Sequence, residues 1–292
     1  MSKIESIIYN GQIVRKKDFS LGVDNRAFRY GDGLFETVRM FDGKLPFLEQ
    51  HIHRLEKGLK FLQLELSKSS LGIDFWRYEI GRLAKYYHQK ESSKYQNYRI
   101  RLSVFRNTGG FYSPQTNEAS YVIEMSALDS SEFQWNKKGK KISIYDKVRL
   151  NNGKLSNLKT SNALPYVLAG LYNQQREFDD CLLLNNKGNI AESIHSNVFL
   201  LVNNRLITPD LKQGCTSGTM RKTIINVAKS MDIKVKEKAC SIKDLKRASE
   251  VFLTNSINGI QWVKSYEGYS YDNSISKKLF KQLNEVIKQP IH

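Results

Sequence analysis

Arg29-Tyr30-Gly31-Asp32-Gly33-Leu34-Phe35-Glu36-Thr37-Val38-Arg39 is the stretch on which the reading of the fold turns. Its second half leads into a strand, Glu36–Phe41, that Asp42-Gly43 turns. Just downstream, Leu48, Ile52, Leu55, Leu59 and Leu62 recur at helical spacing, which predicts an amphipathic helix over Leu48–Leu62. Upstream, Ser6–Tyr9 followed by Asn10-Gly11 predicts a strand entering a hairpin turn. Phe75–His88 reads as a second helix. In Tyr98–Arg106 (YRIRLSVFR), Tyr98, Ile100, Leu102 and Val104 share one face of a strand.

The polar segment 128–141 (LDSSEFQWNKKGKK) lies between two strand-like runs, Tyr121–Met125 and Ile142–Leu150. It predicts a small N-terminal domain over residues 1–127, a linker over 128–141 and a larger C-terminal domain over 142–292. In the second part Cys181–Leu184 is a strand, and Val198–Val202 with Arg205–Thr208 forms a hairpin around Asn203-Asn204. Gly218–Met231 has helical spacing behind the candidate caps Thr216 and Ser217. Glu250–Thr254 is a strand and Ile275–Ile287 a closing helix. Hairpins dominate the alternation, so the expected class is α+β rather than a doubly wound parallel sheet.

The 292 residues carry 46 basic against 29 acidic side chains, a formal charge of +17. A chain of this length buries a sizeable core without disulfides or metals. The charge raises nucleic acid as a partner, because clustered Lys and Arg attract phosphate. Here the basic residues are spread, and the densest cluster, Lys137-Lys138-Gly139-Lys140-Lys141, is short. No nucleic-acid-binding pattern accompanies them, so nucleic acid is not the expected partner. Cys181, Cys215 and Cys240 stand far apart, which suits a reducing compartment. No apolar run is long enough to span a bilayer. A cytoplasmic protein without a membrane partner is expected. His51 and His53, two apart, point to different faces of a helix, and no metal site is expected. Neither G-x-G-x-x-G after a strand nor a Walker loop occurs.

Three features have the physics of an anion site. Thr216-Ser217-Gly218-Thr219 precedes a helix, whose unsatisfied N–H groups and dipole favour phosphate. Thr254-Asn255-Ser256 follows a strand and offers hydroxyl and backbone donors. Arg54 lies on the first helix and offers a forked, charged contact. Lys159, in Asn157-Leu158-Lys159-Thr160-Ser161-Asn162, sits among apolar and small polar residues. Desolvation in such a setting lowers an amine's pKa and suits imine formation, while the residues alone equally allow, and by frequency favour, an ordinary solvated loop lysine.

The stretch Arg29–Arg39 resembles the opening signature of the class IV, fold-type IV pyridoxal-phosphate enzymes. That family includes branched-chain aminotransferases, D-amino-acid aminotransferases and 4-amino-4-deoxychorismate lyases. The resemblance continues in register through His51–Leu55, Asn157–Ala169, Ala191–Phe199, Gly214–Ile225 and Val251–Val263. It implies a two-domain fold like that of the D-amino-acid aminotransferases, a small α/β sandwich followed by a larger pseudo-barrel. It further implies pyridoxal 5'-phosphate as cofactor and a homodimer. Lys159 matches the Schiff-base lysine and Glu192 the carboxylate that pairs with the pyridine nitrogen. Arg54 matches the phosphate-binding arginine. Gly218, Thr219 and Met220 match the phosphate-holding turn, and Asn255 and Ser256 the second such turn.

This chain also departs from the family pattern. Gly218-Thr219-Met220 stands where relatives often have Gly-Ile-Thr, which removes the usual threonine bond. Ser193-Ile194-His195 follows the pairing acid and is bulkier than usual, and it leaves the role of His195 open. Leu164 stands where branched-chain enzymes carry tyrosine. For the substrate, Tyr30 is a candidate pocket residue. Arg106 matches a carboxylate-binding position of D-amino-acid and lyase relatives, and Arg101 one of branched-chain relatives. Positions 101 and 106 face opposite sides of a regular strand, and Arg106 is the expected choice. The resemblance implies amino transfer between an amino acid and a 2-oxo acid. The alternative is elimination of pyruvate from aminodeoxychorismate, giving 4-aminobenzoate.

Overall fold

The computed structural model describes residues 5–67, 70–90 and 96–288. The chain separates into two compact units. The first runs to Glu132 and includes Lys159–Asn162; the second holds Phe133–Leu158 and everything from Ala163 onward.

The first unit contains β1 (Ser6–Tyr9), β2 (Gln12–Arg15), α1 (Arg26–Tyr30), β3 (Gly33–Met40), α2 (Leu48–Leu62), α3 (Ile73–Lys90), β4 (Tyr98–Arg106) and β5 (Ala119–Ala127). Its strands form one antiparallel sheet in the order β2-β1-β5-β4-β3. The alternation in β4 buries Tyr98, Ile100, Leu102 and Val104. Helix α2 buries Leu48, Ile52, Leu55 and Leu59, each worth roughly 1.5–3 kcal/mol relative to exposure. Gly58 lets α2 approach β3 closely, since a Cβ there would stand 2.7 Å from Leu34 Cδ1. One helical turn earlier, the same approach brings His51 and Arg54 onto β3.

The second unit contains β6 (Lys140–Leu150), α4 (Leu164–Arg176), β7 (Asp180–Asn185), β8 (Ile190–Ser193), β9 (Asn197–Val202), β10 (Arg205–Thr208), α5 (Thr219–Ser230), β11 (Val235–Glu237), α6 (Ile242–Arg247), β12 (Glu250–Asn255), β13 (Gly259–Tyr266), β14 (Tyr269–Ser270) and α7 (Ser274–Lys288). The sheet order is β11-β10-β9-β12-β13-β6-β7-β8, with β14 on β13. Its two ends meet, because Ile190 of β8 donates its N–H to the carbonyl of Cys240, just past β11. Ile142, Leu182, Ile190, Val198, Ile207, Val251 and Val263, from seven strands, accordingly share one core. The sheet is a curled half-barrel with that core inside.

The segment 128–141, expected as a linker, is packed. Ser130 and Glu132 carbonyls accept from Arg39 in the first unit. In the second unit Phe133 is buried and its backbone exchanges two hydrogen bonds with the Asn284 side chain. Asn136 exchanges three with Trp262. No helix among the described residues is long and apolar enough to cross a membrane.

Candidate active site

In the first unit, Lys159–Ser161 pairs with the outer edge of β3. Phe35 N donates to Lys159 O at 2.9 Å and Ser161 N to Gly33 O at 2.9 Å. This places the Lys159 ammonium 4.4 Å from the centroid of the Phe35 ring. The Arg101 guanidinium lies over the same ring at 3.9 Å. Cation–π attraction favours both placements. An amine and a guanidinium thus share one aromatic support.

On the covered face of β3, the buried Glu36 carboxylate takes both Nε (2.7 Å) and Nη2 (2.5 Å) of Arg54, and it contacts His51 Nδ1 at 2.7 Å. Burial alone would raise the Glu36 pKa. The charge and hydrogen bonds of Arg54, with His51, outweigh it and hold the carboxyl at about 2. Burial pushes the His51 imidazole down. A carboxylate only accepts, so the neutral ring carries its proton on Nδ1. Arg54 is therefore fixed in place by a buried partner.

Arg101 and Arg106, the two candidates for a substrate carboxylate, stand on opposite faces of β4. Arg106 lies on the covered face. Its Nε donates to Asp32 at 2.9 Å, its Nη1 to Asn117 Oδ1 and Gln63 O, and its Nη2 to Leu62 O. Its guanidinium is occupied by the chain's own acceptors. Arg106 has the parity of Tyr98, Ile100, Leu102 and Val104, which are buried with it. Arg101 is the one on the Phe35 and Lys159 side. Tyr30 is half-buried, and its ring lies 5.5 Å from that of the exposed Tyr112, tilted at 47°.

In the second unit, Glu192 of β8 is 4% exposed. Its Oε1 accepts from Tyr166 OH at 2.6 Å and Thr216 Oγ1 at 3.0 Å. Its Oε2 accepts from Thr216 N at 3.0 Å and Asn197 Nδ2 at 3.4 Å. Asn197 also donates to Thr216 O. Gly218 packs so closely on Asn197 that a Cβ would fall 1.8 Å from its Oδ1. Gly218 caps α5 with no side-chain hydrogen bond, which leaves the first-turn N–H groups for another acceptor. Met220 is buried, so only its backbone can serve there. The Asn255 side chain donates to Ser196 Oγ and accepts from Ile257 N and Asn258 N, so it builds the turn that presents Ser256. Thr254 pairs with Asn197 across the β12–β9 ladder. Ser196-Asn197 therefore ties together Glu192, the Gly218 turn and the Asn255 turn. Sequence reasoning missed this hub, and also Tyr166, because neither has a local pattern. His195 is exposed at the tip of the tight Ser193–Ser196 turn, above a buried Asp180 that accepts from Ser193 Oγ and Ile194 N.

The residues fit a phosphorylated cofactor. Thr219 Oγ1 and Thr254 Oγ1 are buried without a hydrogen-bond partner, beside the uncapped start of α5 and beside Asn197. Orphaned buried hydroxyls are costly unless a ligand satisfies them. No group of three or more His, Cys, Asp and Glu suited to a metal ion occurs among the described residues.

The model of the family "Amino-transferase class IV" matches residues 33–266. The chain belongs to the class IV aminotransferases. That family is pyridoxal-phosphate-dependent, and its members here are enzymes, branched-chain aminotransferases and aminodeoxychorismate lyases among them. This member is 29% identical over 253 residues to the aminodeoxychorismate lyase of Bacillus subtilis (86% of this chain, 83% of the relative). The structure of 4-amino-4-deoxychorismate lyase from Pseudomonas aeruginosa superposes with a TM-score of 0.80 at 26% identity, covering 96% of this chain and 98% of that one. The branched-chain aminotransferase of the archaeon Thermoproteus uzoniensis, solved with norvaline, shares the fold with a TM-score of 0.85 at 19% identity, covering 97% of this chain and 95% of that one.

Proposed function

We propose that this class IV enzyme uses pyridoxal 5'-phosphate to transfer an amino group between an amino acid and a 2-oxo acid. The observation that carries the reading is the Asn197 hub. It joins a buried carboxylate, suited to a ring N–H⁺, to an uncapped helix start, suited to a phosphate. When bound, the cofactor supplies an aldehyde for an amine and a protonated ring that draws electrons from the substrate α-carbon. Lys159 would be the amine, and its Nζ, freed when the substrate amine takes its place, would carry the proton from the substrate α-carbon to the carbon that bore the aldehyde. Glu192 keeps the ring nitrogen protonated. The N–H groups of Thr219 and Met220, the Thr219 hydroxyl, the Ser256 turn and Arg54 hold the phosphate. Gly218 admits the close packing that shapes that turn, and Asn255 shapes the second one. Arg101 binds the substrate carboxylate, and Tyr30 lines the pocket.

A second reading, elimination of pyruvate from aminodeoxychorismate, is favoured by the 29% identity to the Bacillus subtilis lyase. Leu164, in place of tyrosine, supports it also. Product analysis decides between the two. Amino transfer to 2-oxoglutarate from any of a panel of amino acids supports the first. Pyruvate and 4-aminobenzoate from aminodeoxychorismate, with no transfer across the panel, overturns it. Exposed Leu164, Val167 and Leu171 along one side of α4 support a homodimer. Three buried free cysteines support the cytoplasm as its compartment.

A further inference from the structure

We propose that Tyr166 is the positioning residue for Glu192, holding its carboxylate ionised and in one orientation toward the cofactor's ring nitrogen. The inference rests on the cofactor reading above and goes beyond it, because Tyr166 matches no position that reading uses. Tyr166 stands in the first turn of α4. Its ring packs against the apolar cluster of Tyr145, Leu150, Ala169, Cys181, Leu183 and Ala191. Its hydroxyl donates to Glu192 Oε1 at 2.6 Å. That length is typical of a charge-assisted O–H···O⁻ bond and is shorter than the contacts of Thr216 and Asn197 to this carboxylate.

Each of those donors comes from a segment other than β8: Tyr166 from α4, Thr216 from the loop before α5, Asn197 from β9. The carboxylate is therefore oriented by three separate pieces of the fold. Hydrogen bonds to the charged form favour it over the protonated form, and burial does the opposite. The phenol shows the reciprocal effect. Burial, then the negative charge and hydrogen bond of Glu192, push its ionisation far upward, so Tyr166 stays a donor at every working pH. Thr216 supplies a hydroxyl to the same oxygen. It also supplies its backbone N–H to the other, a bond that substitution of its side chain leaves in place.

The test begins on the cofactor-free protein, with carboxyl-¹³C glutamate followed by NMR through a pH titration. Glu192 is assigned with Glu192→Gln. In Tyr166→Phe, which keeps the ring packing, Glu192 is expected to protonate about one pH unit or more above wild type, the scale of one lost bond to a carboxylate. Isosteric 3-fluorotyrosine at position 166, a stronger donor, is expected to move it the other way. An unchanged titration in both proteins overturns the inference, even if the enzyme still takes up pyridoxal 5'-phosphate. The second arm measures cofactor affinity against pH. Its acid limb is expected to rise with the Glu192 titration in Tyr166→Phe. If Glu192→Gln binds the cofactor as tightly as wild type, the cofactor reading itself fails, whatever the first arm shows. Should Tyr166→Phe not fold, the fluorotyrosine protein alone decides.

Discussion

Replacing Glu36 by Gln removes the anion that fixes Arg54 and His51. The Glu36 pKa falls from 4.5 to about 2 on folding, and at 1.36 kcal/mol per pH unit this amounts to about 3 kcal/mol. Removing one partner of a buried pair costs about 3–5 kcal/mol by comparison. The two agree in scale because Arg54's side chain is 11% exposed and Glu36's 1%, so water screens neither. A depressed carboxyl contributes stability that is complete above its unfolded pKa and disappears as pH falls through its folded one. The gap in urea stability between wild type and Glu36→Gln is therefore about 3 kcal/mol at pH 7. It shrinks below pH 4.5 and closes near pH 2. Unfolding followed by Trp76 fluorescence, with Trp135 and Trp262 replaced, isolates the unit concerned. A gap that does not change between pH 7 and pH 3, or none at pH 7, refutes the reasoning.

Arg101 and Arg106 of β4 separate cleanly. Arg101→Gln is expected to raise KM for the substrate carboxylate tenfold or more with little effect on unfolding. Arg106→Gln, which takes a donor from Asp32 (still held by Arg26), from Asn117 and from three carbonyls, is expected to cost about 3 kcal/mol of stability in a urea melt. Gly218→Ala forces a Cβ onto Asn197 and is expected to weaken cofactor binding at least tenfold, read by fluorescence titration. Burial pushes the thiols of Cys181, Cys215 and Cys240 up to about 12, so a thiol reagent at pH 8 should label none in the native protein and all three after unfolding.

What was legible follows from where periodicity reports burial. Leu48–Leu62 and Tyr98–Arg106 end where their apolar repeats end, because each packs one face on the same core. Helix α4 went unread because it buries only Ala169 and Asn173 and exposes Leu164, Val167 and Leu171. Strand β8 went unread because all four of its residues are buried, Glu192 and Ser193 included, so it shows no alternation. Strand β3 begins at Gly33, three residues before the expected start at Glu36, since pairing with both β4 and Lys159–Ser161 holds Gly33–Phe35 extended. The site behaves likewise. Lys159, Glu192 and Gly218 enter the proposal from family motifs. The Asn197 hub and the Glu36–Arg54 pair join residues far apart in the chain, and no local pattern announces them.

The central claim, a pyridoxal-phosphate enzyme with Lys159 as its amine, is tested most directly by the visible absorbance spectrum of the purified protein with added cofactor. The account predicts a yellow protein whose band disappears in Lys159→Ala. A colourless protein that takes up no pyridoxal 5'-phosphate, or a band unchanged in Lys159→Ala, would contradict it.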